Sequence, residues 1–201
     1  PSVTPSVTPS VTPTSTATAT PSITPSVTPT IAYTNTSSLS FNGTSHFVDL
    51  NNTYQSLFKS SFSVGLWIKL SDGRPGVGNT HWFFGATDDL SKNKVLGGIR
   101  GHTGKLEFAY ESDNSEVIAR HDSNTFTDGE QPWQHIVFVA DDDNDQMSIY
   151  LNGTSLSLDS THNGNLSAAA LSAFTTDKNL YVGCQNFKGI AVMSSYYLRI
   201  I

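Results

Sequence analysis

Cysteine is almost absent from this chain, because Cys184 is the only one among its 201 residues. A single cysteine excludes an intramolecular disulfide framework and any zinc site built on cysteine ligands. The surrounding "NLYVGC" has the composition of a strand, so the sequence predicts a small buried residue at this position.

Positive charge is also scarce: 11 Lys and Arg stand against 17 Asp and Glu, for a formal net charge of -6. This balance, and the lack of a cluster of Lys and Arg, argue against nucleic acid and anionic membrane surfaces as partners. No apolar run approaches the roughly 18 residues of a transmembrane helix, which argues against membrane insertion. Neither an initial Met nor a signal-peptide pattern is present, so we expect a mature chain or a fragment.

Charged side chains are missing altogether from residues 1–38, whereas the composition from Leu39 onward is that of a globular domain. This shift predicts an arm, residues 1–37, followed by one domain, residues 38–201. The arm repeats a four-residue unit, with prolines at 1, 5, 9 and 13 and again at 21, 25 and 29. Proline fixes φ near -65° and disfavours helix at the preceding residue, so we expect extended polyproline II. At about 3.1 Å per residue, residues 1–30 would reach roughly 90 Å.

A composition of Pro, Ser and Thr is typical of O-glycosylated stalks, although a flexible, unmodified linker is the alternative. The tetrapeptide resembles the arms of hydroxyproline-rich cell-surface glycoproteins and glycan-coated fibrils. That resemblance implies that some prolines are hydroxylated and glycosylated as well. The candidate positions for covalent glycans are Thr4, Thr8, Thr12, Thr24, Thr28, Ser2, Ser6, Pro1, Pro5 and Pro9.

The domain has the pattern of an all-β protein. In "SFSVGLWIKL", Phe62, Val64, Leu66 and Ile68 alternate with Ser63, Gly65, Trp67 and Lys69, which predicts a strand with one buried face. Turn residues separate about ten to thirteen such short runs, as in a β-sandwich. Asn42-Gly43 and Asn152-Gly153 each predict a hairpin. Only "LSAAALSAF" has the composition for a helical turn or two.

Several elements in order resemble the laminin-G-like domains of the concanavalin A-like lectin/glucanase superfamily. They are Trp133-x-His135, Tyr150-x-Asn152-Gly153 and Tyr181-x-Gly183, preceded by "SLSFNGTSHFVDL" and "FSVGLWIKL". The resemblance covers residues 38–201 and implies a two-sheet antiparallel jelly roll, an extracellular location, and binding of carbohydrate or protein through rim loops. The chain departs from the pattern at Ser194-Ser195, where an acidic residue is common, and it lacks the disulfide of many members.

One motif raises the question of catalysis. "ESDNSE" reproduces the Glu-x-Asp-x-x-Glu spacing by which glucanases of this superfamily arrange their carboxylates on one strand. However, Ser112, Asn114 and Ser115 are turn formers where those enzymes carry apolar residues, so we expect Glu111 and Glu116 to flank a turn. The histidines show no metal-ligand spacing on one element. The sequence therefore predicts no enzyme and requires no cofactor.

Calcium and N-linked glycans are weaker expectations. Asp141, Asp143 and Asp145 alternate like a calcium loop but lack its Gly and bidentate Glu, so an exposed acidic turn is expected. Asp88 and Asp89 lie in a loop of the kind that binds calcium or sugar in family members, which implies a candidate structural calcium site. Sequons at Asn35, Asn51 and Asn165 are candidates for N-glycosylation; those at Asn42 and Asn152 coincide with the predicted hairpins.

Three classes of function remain. The first is an extracellular structural glycoprotein, a subunit of a fibre or surface appendage that contacts neighbouring copies of itself. The second is a tethered lectin or adhesin that binds extracellular polysaccharide. The third, a glycanase, is remote. We expect the first.

Overall fold

A computed structural model describes residues 38–43, 45–74, 76, 80–88, 92–100, 103–187, 190–193 and 195–199. These residues form fifteen strands in two sheets and three short 3-10 helices, at Leu57–Lys59, Leu166–Ala168 and Leu171–Ala173. The fold is the predicted all-β, two-sheet jelly-roll sandwich. The arm predicted for residues 1–37 lies outside the described residues. No helix in the described ranges has the length and hydropathy that a membrane crossing requires.

The smaller sheet is antiparallel throughout. In order across the sheet, its strands are β1 (Leu39–Asn42), β15 (Ser195–Arg199), β3 (Phe62–Leu70), β8 (Gln134–Asp141), β9 (Gln146–Leu151) and β10 (Thr154–Ser155). The first and last described strands are therefore neighbours.

The larger sheet continues the antiparallel pattern. Its strands, in order, are β11 (Leu158–Asn163), β7 (Ser115–His121), β6 (Lys105–Ser112), β5 (Lys94–Arg100), β4 (Thr80–Thr87), β12 (Tyr181–Val182) and β2 (Val48–Asp49). A hairpin of β13 (Cys184–Phe187) and β14 (Ile190–Met193) joins it through a short parallel pairing of β13 with β4.

The core lies between the two sheets. Aromatic contacts join the layers: Phe62 and Phe84 pack against Phe108 and Phe138 of the opposite sheets, with ring centroids 6.0 and 5.6 Å apart. The predicted alternation of β3 is confirmed, because Phe62 and Ile68 are buried and Val64 and Leu66 pack against the core. Cys184 is fully buried as predicted, and burial raises the pKa of its thiol to about 12.

The two hairpin predictions had different outcomes. Asn152 and Gly153 form a two-residue turn between β9 and β10, with φ of 52° and 82°. The Asn42-Gly43 hairpin is wrong, because β1 pairs in the smaller sheet and β2 in the larger one. There the Asn42 side-chain oxygen accepts hydrogen bonds from the N–H groups of Ser45 and His46, at 2.9 and 3.0 Å. The turn passes the chain from one sheet to the other.

Other strand boundaries also differ from the prediction. "TSLSLD" divides between β10 and β11, and "IAVMSSYYLRII" divides between β14 and β15, which lie in different sheets. β4 and β5 were missed entirely. The helical turns of "LSAAALSAF" are present as two 3-10 helices.

Candidate functional site

The side of the larger sheet that faces away from the core carries an ordered set of polar and apolar side chains. Strand register aligns them in three rows, each crossing β4, β5, β6 and β7. We call this set the larger-sheet face: its rows are Trp82, Gly98, Glu107 and Arg120; Gly85, Leu96, Ala109 and Ile118; and Thr87, Lys94, Glu111 and Glu116. Tyr181 of β12 extends the middle row beyond Gly85.

The middle row is apolar, and its two central side chains are shielded from solvent. Leu96 and Ala109 are buried although they face away from the core. Gly98 must be glycine, because a Cβ there would collide with the backbone of His81 and Trp82. Gly98 therefore lies directly against the backbone of β4.

Aromatic side chains lie on both sides of this apolar row. Trp82 is half-buried at a β-bulge, which also lets Phe83 and Phe84 both enter the core. On the other side of Gly85, Tyr181 stacks on Phe47 with ring centroids 4.8 Å apart, and Phe47 is 40% exposed.

Glu107 organises the charges at one end of the face. Its carboxylate accepts a hydrogen bond from Arg120 Nε at 2.6 Å and lies 3.6 Å from a guanidinium nitrogen of Arg100. The Glu107 side chain is only 5% exposed, whereas that of Arg100 is 37% exposed. Because Arg120 already neutralises Glu107, Arg100 can offer N–H donors to a bound anion.

Arg120 is itself held from the far side. Its guanidinium lies 3.1 Å from His162 Nδ1, and the same ring nitrogen lies 3.2 Å from Asp159. Hydrogen bonds from Thr161 and from His162 hold the pKa of Asp159 well below its usual range. This chain of contacts fixes the orientation of Arg120.

Lys94 organises the other end. Its ammonium lies 2.9 Å from Glu111 and 2.6 Å from Glu116, which β6 and β7 place directly opposite each other. Burial alone would lower the pKa of Lys94, but hydrogen bonds and the charges of Glu116 and Glu111 outweigh it and raise that pKa. The cation thus offsets the repulsion of two facing carboxylates.

The glucanase-like motif does not lie on one strand. Asp113 and Asn114 form the two-residue turn between β6 and β7, with φ of 47° and 67°. Glu111 and Glu116 flank this turn, as predicted, and Lys94 binds both. The two carboxylates thus lie on adjacent strands and share one cation, unlike the single-strand arrangement that the spacing resembles.

The predicted rim loop is stabilised by internal hydrogen bonds at Asp88. Its carboxylate accepts the Lys92 N–H at 2.7 Å and the Asn93 side-chain N–H at 3.0 Å. Asp89 lies outside the described residues. Within the part of the chain that the structure describes, His, Cys, Asp and Glu do not form a group of three suited to a metal ion. Calcium at this loop stays a prediction.

The predicted glycosylation positions fall into two groups. Asn35 and all candidates in the arm lie outside the described residues. Asn51 and Asn165 are exposed, and the Asn165 side-chain oxygen accepts a hydrogen bond from Ser167 N–H at 2.9 Å. The acidic turn is confirmed: Asp141 binds Asn144 within it, at 3.2 Å to the backbone N–H.

The larger-sheet face was not predicted from the sequence. Trp82, Lys94 and Arg100 lie on the two strands that were not predicted, and Arg120 was assigned to a strand without a role. One signal was available: in "KLEFAYES", Glu107 and Glu111 share the face opposite the apolar residues. Where such a face is buried, two carboxylates need cations on the neighbouring strands.

The fold, with an outward sheet face lined by aromatic and charged side chains, defines a lectin-like β-sandwich. A laminin G family model, described as the concanavalin A-like lectin/glucanases superfamily, matches residues 42–193. The match covers more than half of the chain, which therefore belongs to this superfamily. No curated protein matches the sequence.

Solved structures agree on the fold. The CBM40 of the Ruminococcus gnavus IT-sialidase, bound to α2,6-sialyllactose, is 11% identical with a TM-score of 0.58, covering 80% of this chain and 87% of that one. Domains LG4-5 of the mouse laminin α1 chain are 13% identical with a TM-score of 0.54, covering 79% and 39%. The NanB sialidase of Streptococcus pneumoniae, as its K499G mutant, is 16% identical with a TM-score of 0.58, covering 80% and 24%.

Proposed function

We propose that this chain is a non-enzymatic, extracellular or cell-surface protein whose sandwich binds carbohydrate on the larger-sheet face. The observation that carries the proposal is the half-buried Trp82 ring on that face together with the partly exposed Arg100, which lies beside Glu107. Sugars present apolar C–H faces that pack on aromatic rings, and hydroxyl or carboxylate groups that accept hydrogen bonds.

Arg100 favours an acidic sugar. Its guanidinium is the more exposed of the two that approach Glu107, and the CBM40 neighbour is a module bound to sialyllactose. A carboxylate facing Arg100 would form charge-assisted hydrogen bonds, each worth roughly 1.5–3 kcal/mol.

Calorimetric titration of the full chain with sialyllactose and with lactose tests this function. We expect sialyllactose to bind more tightly than lactose, and Arg100→Met to weaken it by roughly ten- to hundredfold, from the hydrogen-bond energy above. Trp82→Ala should weaken both sugars. Lys69→Met is the control, because Lys69 lies on the smaller sheet and pairs with Glu130. Equal binding by wild type and both variants would exclude the larger-sheet face.

Absence of glycanase activity is part of the same proposal. It is supported by the Lys94 bridge, which binds both glutamates of the motif. Incubation with β-glucans should release no reducing sugar. Hydrolysis that disappears in Glu111→Gln would overturn it.

The repeat arm is the second part of the proposal. We propose that it is an extended stalk with O-linked sugar on its threonines and glycosylated hydroxyproline at Pro1, Pro5 and Pro9. Intact-mass analysis of a peptide covering residues 1–30 tests this directly, since the mass of the bare polypeptide would contradict it. Calcium bound at Asp88 and Asp89 is a further proposal, tested by a rise in melting temperature on addition of CaCl2.

A fibre or surface-appendage subunit is the second candidate function, with neighbouring copies as partners. It is favoured by β1, which follows the arm directly and lies at the edge of the smaller sheet, next to β15. Edge strands and long extended arms both promote contacts between copies. Head-to-tail contacts that do not close into a ring give filaments. Sedimentation and electron microscopy of the full chain test it, because a dispersed monomer would contradict assembly.

A further inference from the structure

The outward side of the smaller sheet carries an apolar patch that no function above uses. We call it the Gly65 face: Gly65, Trp67, His135, Val137 and Tyr150, aligned by the register of β3, β8 and β9. The rings of Trp67 and His135 stack with centroids 5.1 Å apart. Gly65 is exposed and the other four are half-buried. Lys69 and Arg199 border the patch by register, but the patch itself is formed by a glycine, a valine and aromatic rings.

Gly65 forms a notch that the fold itself does not require. Its φ is not positive, and a Cβ built there would make only ordinary contacts, 3.8 Å from His135 Nε2 and from Val137 Cγ2. Gly98, in contrast, has no room for a Cβ. A glycine inside a strand costs stability, and where sterics do not demand it, it often marks close approach by another backbone.

We infer that the Gly65 face binds the repeat arm of a second copy of this chain, which rests on the self-assembly proposed above. Proline-rich segments in polyproline II dock on aromatic-lined grooves because they are already extended and lose little entropy. Residues 1–38 carry no charge, so the arm suits the apolar patch that Lys69 and Arg199 border.

The periodicity of the repeat allows the arm to bind the Gly65 face even if its threonines carry sugar. With three residues per turn, every third residue lies on the same edge of a polyproline II rod. One edge shows Val7, Ser10 and Pro13 in succession, between Thr4 and Thr16. This threonine-free stretch spans roughly 19 Å from Val7 to Pro13, at about 3.1 Å per residue. Three strands at about 4.8 Å spacing are narrower than that, so the stretch crosses the Gly65 face.

The arm also has the reach to find a neighbour. It precedes β1 at the edge of the smaller sheet, and its expected length is roughly 90 Å. Six strands at about 4.8 Å spacing make a sheet only about 29 Å wide. The expected length of the arm is thus about three times the width of the sheet, which is enough to reach a second copy.

A spin-label experiment on the full chain tests the contact. Thr14→Cys places a nitroxide on a different edge of the arm from Pro13, and buried Cys184, with its raised thiol pKa, should not react. The nitroxide-labelled chain, at natural isotope abundance, is mixed with a 15N-labelled chain that carries no nitroxide. We expect loss of the Trp67 indole N–H signal, whereas the Trp82 indole, on the other sheet, keeps its intensity. Trp82 thus serves as an internal control.

Two variants of the 15N-labelled chain sharpen the test. Gly65→Val fills the notch, suits a strand, and should restore the Trp67 signal to its intensity without the nitroxide. Ser160→Val, on exposed β11, is the matched control and should leave the loss unchanged. Val137→Lys, which puts a charge on the face, gives a second means of restoring the signal if Gly65→Val does not fold.

The outcomes separate this inference from the function on which it rests. If chains associate in sedimentation but Trp67 keeps its signal, or loses it equally in Gly65→Val and Val137→Lys, the Gly65 face is not the contact. If the chains do not associate at all, self-assembly itself fails and the inference with it.

Discussion

Replacement of Lys94 by Met should destabilise the sandwich, because it removes the cation between two facing glutamates. The side chains of Lys94 and Glu111 are 19% and 10% exposed, whereas that of Glu116 is 42% exposed. Removing one partner of a fully buried pair costs about 3–5 kcal/mol. Partial exposure reduces this cost, and we expect the free energy of unfolding to fall by about 2–3 kcal/mol. Most of the loss arises because the Glu111 carboxylate stays buried without a cation.

Thermal unfolding followed by circular dichroism measures the effect. For a domain of this size, about 1 kcal/mol shifts the melting temperature by roughly 2–4 °C, so Lys94→Met should lower it by roughly 4–12 °C. Lys69→Met is the control, since the Lys69–Glu130 pair is exposed and worth about 0–1 kcal/mol.

A double-mutant cycle and the pH dependence isolate the cause. Glu111→Gln should recover most of the loss in the Lys94→Met background, because no buried charge is then left unpaired. The pKa of Lys94 is raised above 10.5, so its contribution is fully present below that pH and disappears as the pH rises through the folded-state value. A Lys94→Met chain within about 0.5 kcal/mol of wild type, or one that Glu111→Gln destabilises further, would refute the reasoning.

Three further substitutions or modifications test other features. Tyr110→Phe removes a buried hydroxyl that donates to the Phe58 carbonyl at 2.8 Å and lies 3.3 Å from the Leu171 carbonyl. It should cost about 1–3 kcal/mol in urea unfolding, and no loss would contradict this. Gly183→Ala should abolish folding at 37 °C, seen as loss of soluble protein, because φ is 91° and the new Cβ would overlap the Phe41 ring. In a glycosylating host, mass spectrometry should find Asn51 occupied ahead of Asn152, whose side chain binds Gln134 and the backbone N–H of His135; the reverse order would be inconsistent with this.

Local signals predicted those parts of the fold that local chemistry decides. The turn at Asp113 and Asn114 and the one at Asn152 and Gly153 follow from residues that tolerate positive φ. The alternation in β3 follows from the requirement that one face of a strand be buried. None of these depends on which strand lies alongside.

Features that depend on distant partners could not be predicted in this way. Asn42 and Gly43 carry the same turn signal, but β15 and β12 compete successfully for the two strands they join. β4 and β5 contain Gly85, Gly97 and Gly98, which lower strand propensity; they form strands because neighbouring strands and aromatic rings fill the space above those glycines.

The candidate site escaped prediction for the same reason. Arg100, Glu107 and Arg120 belong to three strands, and nothing in their sequence spacing indicates that register will align them. A buried carboxylate indicates that a cation is near, but it does not identify which one.

The position of β15 between β1 and β3 also constrains how the chain is made. Leu198 pairs with both Leu39 and Ile68, so the smaller sheet closes only when residues near 198 have left the ribosome. Until then, the edge of β3 is unpaired in the nascent chain and open to pairing with other strands. Contacts of such high sequence separation also slow folding. During synthesis, this edge of β3 therefore stays without its native partner until β15 is available.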